Sequence, residues 1–215
     1  MKTARIVIFG LNSPVVFPDG TLNDNYGLRT LIESFVRDGD PAPLFLAYDD
    51  PQLLTKASDY FASADRREMY GHSHGGAAVK WIVDHWSIAQ TAIVDLAVFL
   101  DPAPEQWHFG QFFSWQAADA NLDDRWHVPL SVCRKSVCIY QRNEQIIPGI
   151  IGVCGVPFAP VPRRPDATVE GWPNGGIPIP PDAIVENINV SAWGVYHNHM
   201  LSDPRVQNLM RSAAL

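Results

Sequence analysis

Short apolar runs alternate along this chain with segments whose apolar residues recur at helical spacing. The runs are typical of buried strands, and the spaced segments are typical of amphipathic helices. Strands are predicted over residues 4–9, 43–48, 67–71, 91–100, 136–140 and 185–190. Helices are predicted from a cap at Asn23 or Asp24 to about Val36, and over 50–64, 77–83 and 203–210. Because strands and helices alternate, the pattern predicts an α/β fold with a mostly parallel sheet of about six strands and helices on both faces.

Two long segments interrupt the alternation. Residues 102–129 are rich in tryptophan and phenylalanine, and residues 155–181 are dense in proline and glycine. Segments of this length inside a domain are usually lids or walls of binding sites. No internal repeat is visible and nothing else in the sequence divides the chain, so we expect one domain over residues 1–215, with a possible lid or pocket wall at 102–129.

Composition and charge narrow the range of partners. The 215 residues are 47% hydrophobic and 18% charged, which suits one globular domain with a substantial core. A net charge of -7 argues against nucleic acid, whose phosphates require a basic surface. No apolar stretch is long enough to cross a bilayer, and the first residues lack the features of a secretory signal. We therefore expect a cytoplasmic protein without a transmembrane segment.

One motif in the chain indicates chemistry. Gly71-His72-Ser73-His74-Gly75 has the form G-x-S-x-G, with a predicted strand before it and a predicted helix after it. In that context the serine occupies a sharp strand-to-helix turn, with a strained backbone and an exposed hydroxyl. The glycines allow the strand and the helix to approach closely. Ser73 is therefore the candidate nucleophile.

A serine nucleophile needs a base to accept its proton and an acid to orient that base. In this topology the order along the chain is serine, acid, histidine, each in a loop after a later strand. Asp101 directly follows the predicted strand after the motif, and two histidines, His197 and His199, follow the last strand.

These motifs resemble the α/β-hydrolase superfamily over essentially the whole chain, and in particular small serine lipases and esterases. Leu100-Asp101-Pro102-Ala103 resembles the acid loop of the pancreatic-lipase group, which also follows a Gly-His-Ser-x-Gly motif. Residues 197–206, which read His-Asn-His-Met-Leu-Ser-Asp-Pro-Arg-Val, resemble the histidine loop of small bacterial lipases. Alignment on Asp-Pro-Arg-Val favours His197 over His199 as the base.

The resemblance leaves a second candidate for the acid. Asn143-Glu144-Gln-Ile-Ile-Pro148 resembles the loop after a later strand of common α/β hydrolases, where an aspartate precedes an apolar-proline pair. Glu144 matches that aspartate in position but not in residue type, so Asp101 is favoured.

Acyl transfer also requires N–H donors for the oxyanion. The resemblance assigns one to the backbone of His74 and the other to Leu11 or Asn12, in the loop after the first strand. The chain departs from the family pattern here, because it has Phe9-Gly10 where His-Gly is usual.

The aromatic segment between the candidate catalytic loops offers a substrate pocket, although aromatic residues most often fill a core. The candidate pocket residues are Trp107, Phe109, Phe112 and Trp115. Tyr26 and Trp193 are further candidates near the site.

The sequence thus indicates hydrolysis of a small-molecule or lipid-like carboxylic ester, with no cofactor. An acyltransferase or thioesterase would use the same triad, and a non-catalytic binding module on this scaffold is the other alternative. Alternatively, the two His-x-His pairs, His72/His74 and His197/His199, could bind a metal ion. Metallohydrolases usually place carboxylates close to such pairs, and none lies close in this sequence, so we expect no metal.

Overall fold

The computed structural model describes residues 1–10, 14–89, 93–102, 127–128, 133–140, 170–171, 184–195 and 197–214. The strands are β1 (Thr3–Phe9), β2 (Leu44–Ala47), β3 (Arg66–His72), β4 (Val94–Leu100), β5 (His127–Val128), β6 (Cys133–Tyr140), β7 (Glu170–Gly171) and β8 (Ile184–Asn189). The α-helices are α1 (Leu28–Glu33), α2 (Leu53–Phe61), α3 (His74–Ala89) and α4 (Pro204–Ala214), and two 3-10 helices cover Ser191–Trp193 and His197–Ser202.

The six longer strands form one sheet in the order β2–β1–β3–β4–β6–β8, and every neighbouring pair is parallel. This confirms the predicted α/β fold and its number of strands. From β1 the chain crosses to β2 on one side and then returns to β3 on the other. In such sheets the crevice at the carboxyl ends of the strands, where the winding direction reverses, is the usual ligand site. Here that crevice lies between β1 and β3.

Each face of the sheet is covered by a pair of helices, because successive strand residues point to opposite faces. Ile6 and Ile8 of β1 belong to a buried cluster with apolar residues of α2 and α3. Val7 and Phe9 belong to a second cluster with residues of α1 and α4. Among the described residues no helix has the length and apolarity needed to cross a membrane.

The predicted start of the first helix is wrong. The helix begins at Leu28 with Gly27 as its cap, rather than after Asn23 or Asp24, and it ends at Glu33. Its start is delayed because Asn25, Tyr26 and Gly27 have positive φ values of 45°, 60° and 98°, which no right-handed helix accommodates. The predicted lid at 102–129 and the segment 155–181 lie outside the described residues, apart from Pro102 and the two-stranded β5–β7 pair.

A buried ionic network, which the sequence analysis did not predict, lies among β1, β3 and the loop before β2. Glu68 is fully buried and accepts from Arg66 Nε at 2.7 Å and from the Tyr70 hydroxyl at 2.8 Å. Arg5 lies 3.0 Å from Glu68 and 2.8 Å from Asp40. The charges thus compensate one another away from water, which is the condition for burying them.

Candidate active site

Ser73 lies at the turn between β3 and α3, in a backbone conformation that residues other than glycine rarely adopt. Its φ is 57°, in the left-handed region, which costs about 1–2 kcal/mol for a residue with a side chain. The turn is fixed by two backbone hydrogen bonds, because Ser73 N–H donates to Leu100 O and Gly76 N–H donates to Ser73 O, both at 3.0 Å. This is the conformation that the G-x-S-x-G motif predicts for a nucleophile.

The glycines around the turn allow the backbones of β1, β3 and α3 to lie in direct contact. A Cβ added to Gly75 would overlap with the carbonyl oxygen of Ile8 in β1, and one added to Gly71 would overlap with Gly75 O. Neither obstacle is a flexible side chain that could rotate away. Only glycine therefore fits at these two positions, and the start of α3 is held directly against β1 and β3.

Ser73 is more enclosed than the motif alone predicts. Only 8% of its surface is exposed, whereas the sequence analysis expected an exposed hydroxyl. The end of β1 accounts for part of this enclosure, since a Cβ on Gly10 would lie 2.9 Å from Ser73 Cβ. Gly10 therefore lies against the serine, and it directly precedes the residues that the sequence analysis assigned to the oxyanion.

Asp101 terminates β4 beside the turn. It is 2% exposed, has a positive φ of 40°, and its N–H donates to Ile139 O at 2.7 Å. The following Pro102 packs against α3, because a Cβ on Gly76 would lie 2.9 Å from Pro102 Cβ. Burial raises the pKa of Cys138, and the charge of Asp101 raises it further. The carboxylate is thus held at the carboxyl end of the sheet, on the strand next to Ser73.

The imidazole of His74 also lies at the nucleophile, which the sequence analysis missed. His74 Nδ1 is 3.5 Å from Ser73 Oγ, and the side chain is largely buried. Its ring packs against Tyr48, with ring centroids 5.4 Å apart. The sequence analysis considered only the backbone N–H of His74, which lies in the first turn of α3, where N–H groups point out of the helix end.

The two histidines after β8 lie in the 3-10 helix His197–Ser202. Met200 and Leu201 anchor this helix in the core, where both are fully buried. His199 is exposed, and its carbonyl oxygen accepts from Ser202 Oγ at 3.0 Å. The side chain of His197 lies outside the described part of the chain.

The loop before α1 lies between the turn and this 3-10 helix. The Tyr26 ring approaches the His72 ring edge-on, with centroids 6.3 Å apart. A Cβ on Gly27 would lie 3.8 Å from Leu201 O. Tyr26 is 54% exposed, in contrast to His72, which is 2% exposed. Of the two further candidates, Tyr26 therefore borders the turn, whereas the ring of Trp193 packs under Arg205 at 5.0 Å.

The remaining candidates lie outside the described residues. They are Leu11 and Asn12 for the oxyanion, Glu144 for the acid, and Trp107, Phe109, Phe112 and Trp115 for the pocket. Within the described ranges, no group of three or more His, Cys, Asp or Glu side chains could hold a metal ion.

Comparisons with known proteins add little to this geometry. No family model matches the chain, and no curated protein matches it. Among solved structures the chain is similar to Est1E from Butyrivibrio proteoclasticus, with a TM-score of 0.47 and 13% sequence identity, over 99% of this chain and 88% of that chain. A likeness of this degree assigns no activity. The parallel sheet and the serine at the strand-to-helix turn are nonetheless the arrangement that the sequence motifs predict.

Proposed function

We propose that this protein is a serine hydrolase that cleaves carboxylic esters through an acyl-enzyme intermediate. The observation that carries the proposal is the left-handed backbone of Ser73, held by glycine contacts to β1 at the carboxyl end of a parallel sheet. A strained residue persists only where its surroundings determine it, and such residues cluster at active sites. A serine at a strand-to-helix turn of this kind is the arrangement that an acyl-transfer nucleophile requires.

In the proposed reaction, His197 accepts the proton of Ser73 Oγ as the oxygen attacks the ester carbonyl. Asp101 orients the histidine, and Glu144 is the alternative for this role. Two features support the assignment. Asp101 is buried at the end of the strand next to the one that carries Ser73. The loop before α1 contacts both the serine turn, through Tyr26, and the 3-10 helix that carries His197, through Gly27. The protonated histidine then donates its proton to the leaving alcohol.

The tetrahedral intermediate carries a negative charge that needs N–H donors. We assign these donors to the backbone of His74 and to that of Leu11 or Asn12. Helix α3 supports the first donor, because its amino-terminal end favours a developing anion. The contact between Gly10 and Ser73 supports the second, since Leu11 directly follows Gly10. Water then attacks the acyl-enzyme, with the histidine as general base, and releases the acid.

The proposal is tested by covalent labelling and turnover together. A fluorophosphonate should label wild-type protein at Ser73 and leave Ser73→Ala unlabelled. Hydrolysis of p-nitrophenyl butyrate should be lost in the same variant, while the unfolding temperature stays unchanged or rises because alanine removes a polar group from the turn. Wild-type protein that is neither labelled nor active would indicate a binding module instead.

A second pair of measurements distinguishes hydrolysis from acyl transfer. The same ester is offered with water alone and with added alcohol, amine or thiol acceptors, and a thioester is offered in parallel. A hydrolase should give free acid as the main product in every case. Predominant transfer to an acceptor, or a strong preference for the thioester, would assign the same residues to an acyltransferase or a thioesterase.

A further inference from the structure

We propose that Tyr26 is a specificity-determining residue of this site, and that its ring contacts a flat apolar group of the substrate. The inference rests on the proposed ester hydrolysis at Ser73. It specifies the substrate class as esters whose alcohol carries an aromatic or similarly flat apolar group.

Tyr26 lies beside the turn that carries the candidate nucleophile. Its ring lies edge-on to His72, the residue directly before Ser73, with centroids 6.3 Å apart. The next residue, Gly27, lies against the carbonyl of Leu201 in the 3-10 helix that carries the candidate base. Tyr26 therefore stands between the element that holds the nucleophile and the element that holds the histidines.

The exposure of Tyr26 contrasts with that of its surroundings. Tyr26 is 54% exposed, whereas Asn25 and His72 are 2% exposed and Ser73 is 8% exposed. A large ring that covers the core is buried, and a ring that binds a ligand presents a face to the cleft. Aromatic faces give a large apolar contact area at a small cost in side-chain entropy, which suits them for recognition of flat apolar groups.

The backbone around Tyr26 is strained in a way that turn formation does not require. Asn25, Tyr26 and Gly27 have φ values of 45°, 60° and 98°. Glycine and asparagine adopt this region readily, whereas an aromatic residue does so only under constraint. The tyrosine at position 26 therefore carries a backbone strain that glycine or asparagine would avoid.

The constraint that holds this conformation comes from the residues on either side. Asn23 Oδ1 accepts from Asn25 N–H at 2.8 Å, and Asn23 Nδ2 donates to Pro14 O at 2.8 Å. The guanidinium of Arg29 donates to Asn23 O at 2.9 Å and to Val15 O at 3.2 Å. The loop is thus fixed independently of the Tyr26 side chain, so the ring is free to serve the substrate.

A second tyrosine, Tyr48, packs against the other histidine of the turn. Tyr48 packs against His74 with ring centroids 5.4 Å apart, and it is partly buried against the core. Burial, together with the charge of Asp49, raises the pKa of its hydroxyl. Tyr48 therefore acts as a fixed support for His74, and Tyr26 presents the exposed aromatic face.

The test compares benzyl acetate with methyl acetate, which share the acetyl group and differ in the flat apolar group. Tyr26→Asn removes the ring but accepts the left-handed backbone. We expect kcat/KM for benzyl acetate to fall about tenfold through KM, with a change of less than about twofold for methyl acetate. Tyr26→Phe should retain the wild-type ratio. Equal losses on both esters, or a loss in Tyr26→Phe as large as in Tyr26→Asn, would overturn the inference.

Stability measurements distinguish this role from a structural one. Tyr26→Asn should unfold at the same temperature as wild-type protein or higher, because it relieves strain, whereas a structural ring would give a lower temperature. Leu22→Ala is the matched control, since Leu22 is 61% exposed on the same loop. Leu22→Ala should leave kcat/KM unchanged for both esters. If it lowered kcat/KM for benzyl acetate as much as Tyr26→Asn does, any exposed apolar side chain of this loop would account for the selectivity.

A labelling experiment separates failure of this inference from failure of the proposed function. Phosphonate probes with a benzyl or a methyl group report the same selectivity at Ser73 without turnover. Wild-type protein that reacts with neither probe would overturn the proposed hydrolase itself. Reaction of Ser73 with an unchanged benzyl-to-methyl ratio in Tyr26→Asn would overturn the role of Tyr26 alone.

Discussion

Ser73 and Asp101 occupy equivalent places at the ends of neighbouring parallel strands, and both have left-handed backbones, with φ values of 57° and 40°. The two turns are joined directly, because Ser73 N–H donates to the carbonyl of Leu100, the residue before Asp101. A carboxylate and a hydroxyl are thus carried by adjacent rigid strand ends. This relationship supports Asp101 as the acid of the proposed triad.

Replacement of the acid tests that assignment. Asp101→Asn should lower kcat by about 10³- to 10⁴-fold, because an amide neither holds the histidine in the required tautomer nor stabilises its charge. The fold should persist, since asparagine tolerates a positive φ as aspartate does. Steady-state kinetics and a thermal melt measure the two effects. Glu144→Gln is the matched control and should keep activity within a few-fold, and the reverse order of effects would assign Glu144 as the acid.

Three histidines require separate tests. His197→Ala should lower kcat by at least about 10³-fold, because it removes the proposed acceptor of the Ser73 proton. His199→Ala should have a small effect, because His199 is exposed. His74→Ala should retain most of the activity, since it keeps the backbone N–H proposed for the oxyanion. The measurement is kcat for p-nitrophenyl butyrate at saturating substrate. If His199→Ala were inactive and His197→Ala active, His199 would be the base. If His74→Ala were folded but inactive, its Nδ1 would take part in proton transfer.

The glycine contacts predict a large difference between two alanine substitutions. Gly75→Ala places a Cβ on the carbonyl oxygen of Ile8, so we expect a loss of about 3 kcal/mol or more in the free energy of unfolding. Gly39 has a φ of 89° and no atom within 4 Å of an added Cβ, so Gly39→Ala isolates backbone strain and should cost about 1–2 kcal/mol. Urea unfolding measures both values. Equal losses would show that close backbone approach is not what requires glycine at position 75.

The fold was predictable from the sequence because its signals are local and repeated. The strands β1, β2, β4 and β6 each contain a short apolar run, and the order of strands and helices implies parallel pairing. The turn at Ser73 was predictable for a related reason, since its glycines mark positions where only a hydrogen fits. These signals depend on residue types at fixed spacing, which a sequence displays directly.

Other features depend on contacts that the sequence does not display. Asn23 and Asp24 have the side chains of helix caps, but the left-handed conformations of Asn25 and Tyr26 delay the helix to Leu28. The charges of Arg5 and Glu68 lie within buried strands, where apolar residues are the usual choice, and only their pairing across the sheet explains them. The imidazole of His74 was missed because its distance to Ser73 Oγ depends on the geometry of the turn.

The ion pair between Arg5 and Asp40 predicts a pH-dependent contribution to stability. Burial alone would raise the pKa of Asp40, but hydrogen bonds from the Arg5 guanidinium and from the N–H groups of Thr3 and Arg37 outweigh it and lower the pKa below the ordinary 3.8. A lowered pKa in the folded state stabilises the fold above the unfolded-state pKa, and this contribution is lost as the pH falls through the folded-state pKa. Asp40→Asn should therefore lower the free energy of unfolding by about 2 kcal/mol at pH 7, with a smaller difference from wild type below about pH 4.

Urea unfolding of both proteins between pH 7 and pH 3 measures this difference. Asp38→Asn is the control, because it makes the same change of charge at an exposed position two residues away and should alter stability by no more than about 0.5 kcal/mol. A difference for Asp40→Asn that stays constant down to pH 3 would mean that packing around the side chain, rather than its ionised form beside Arg5, stabilises this end of the sheet.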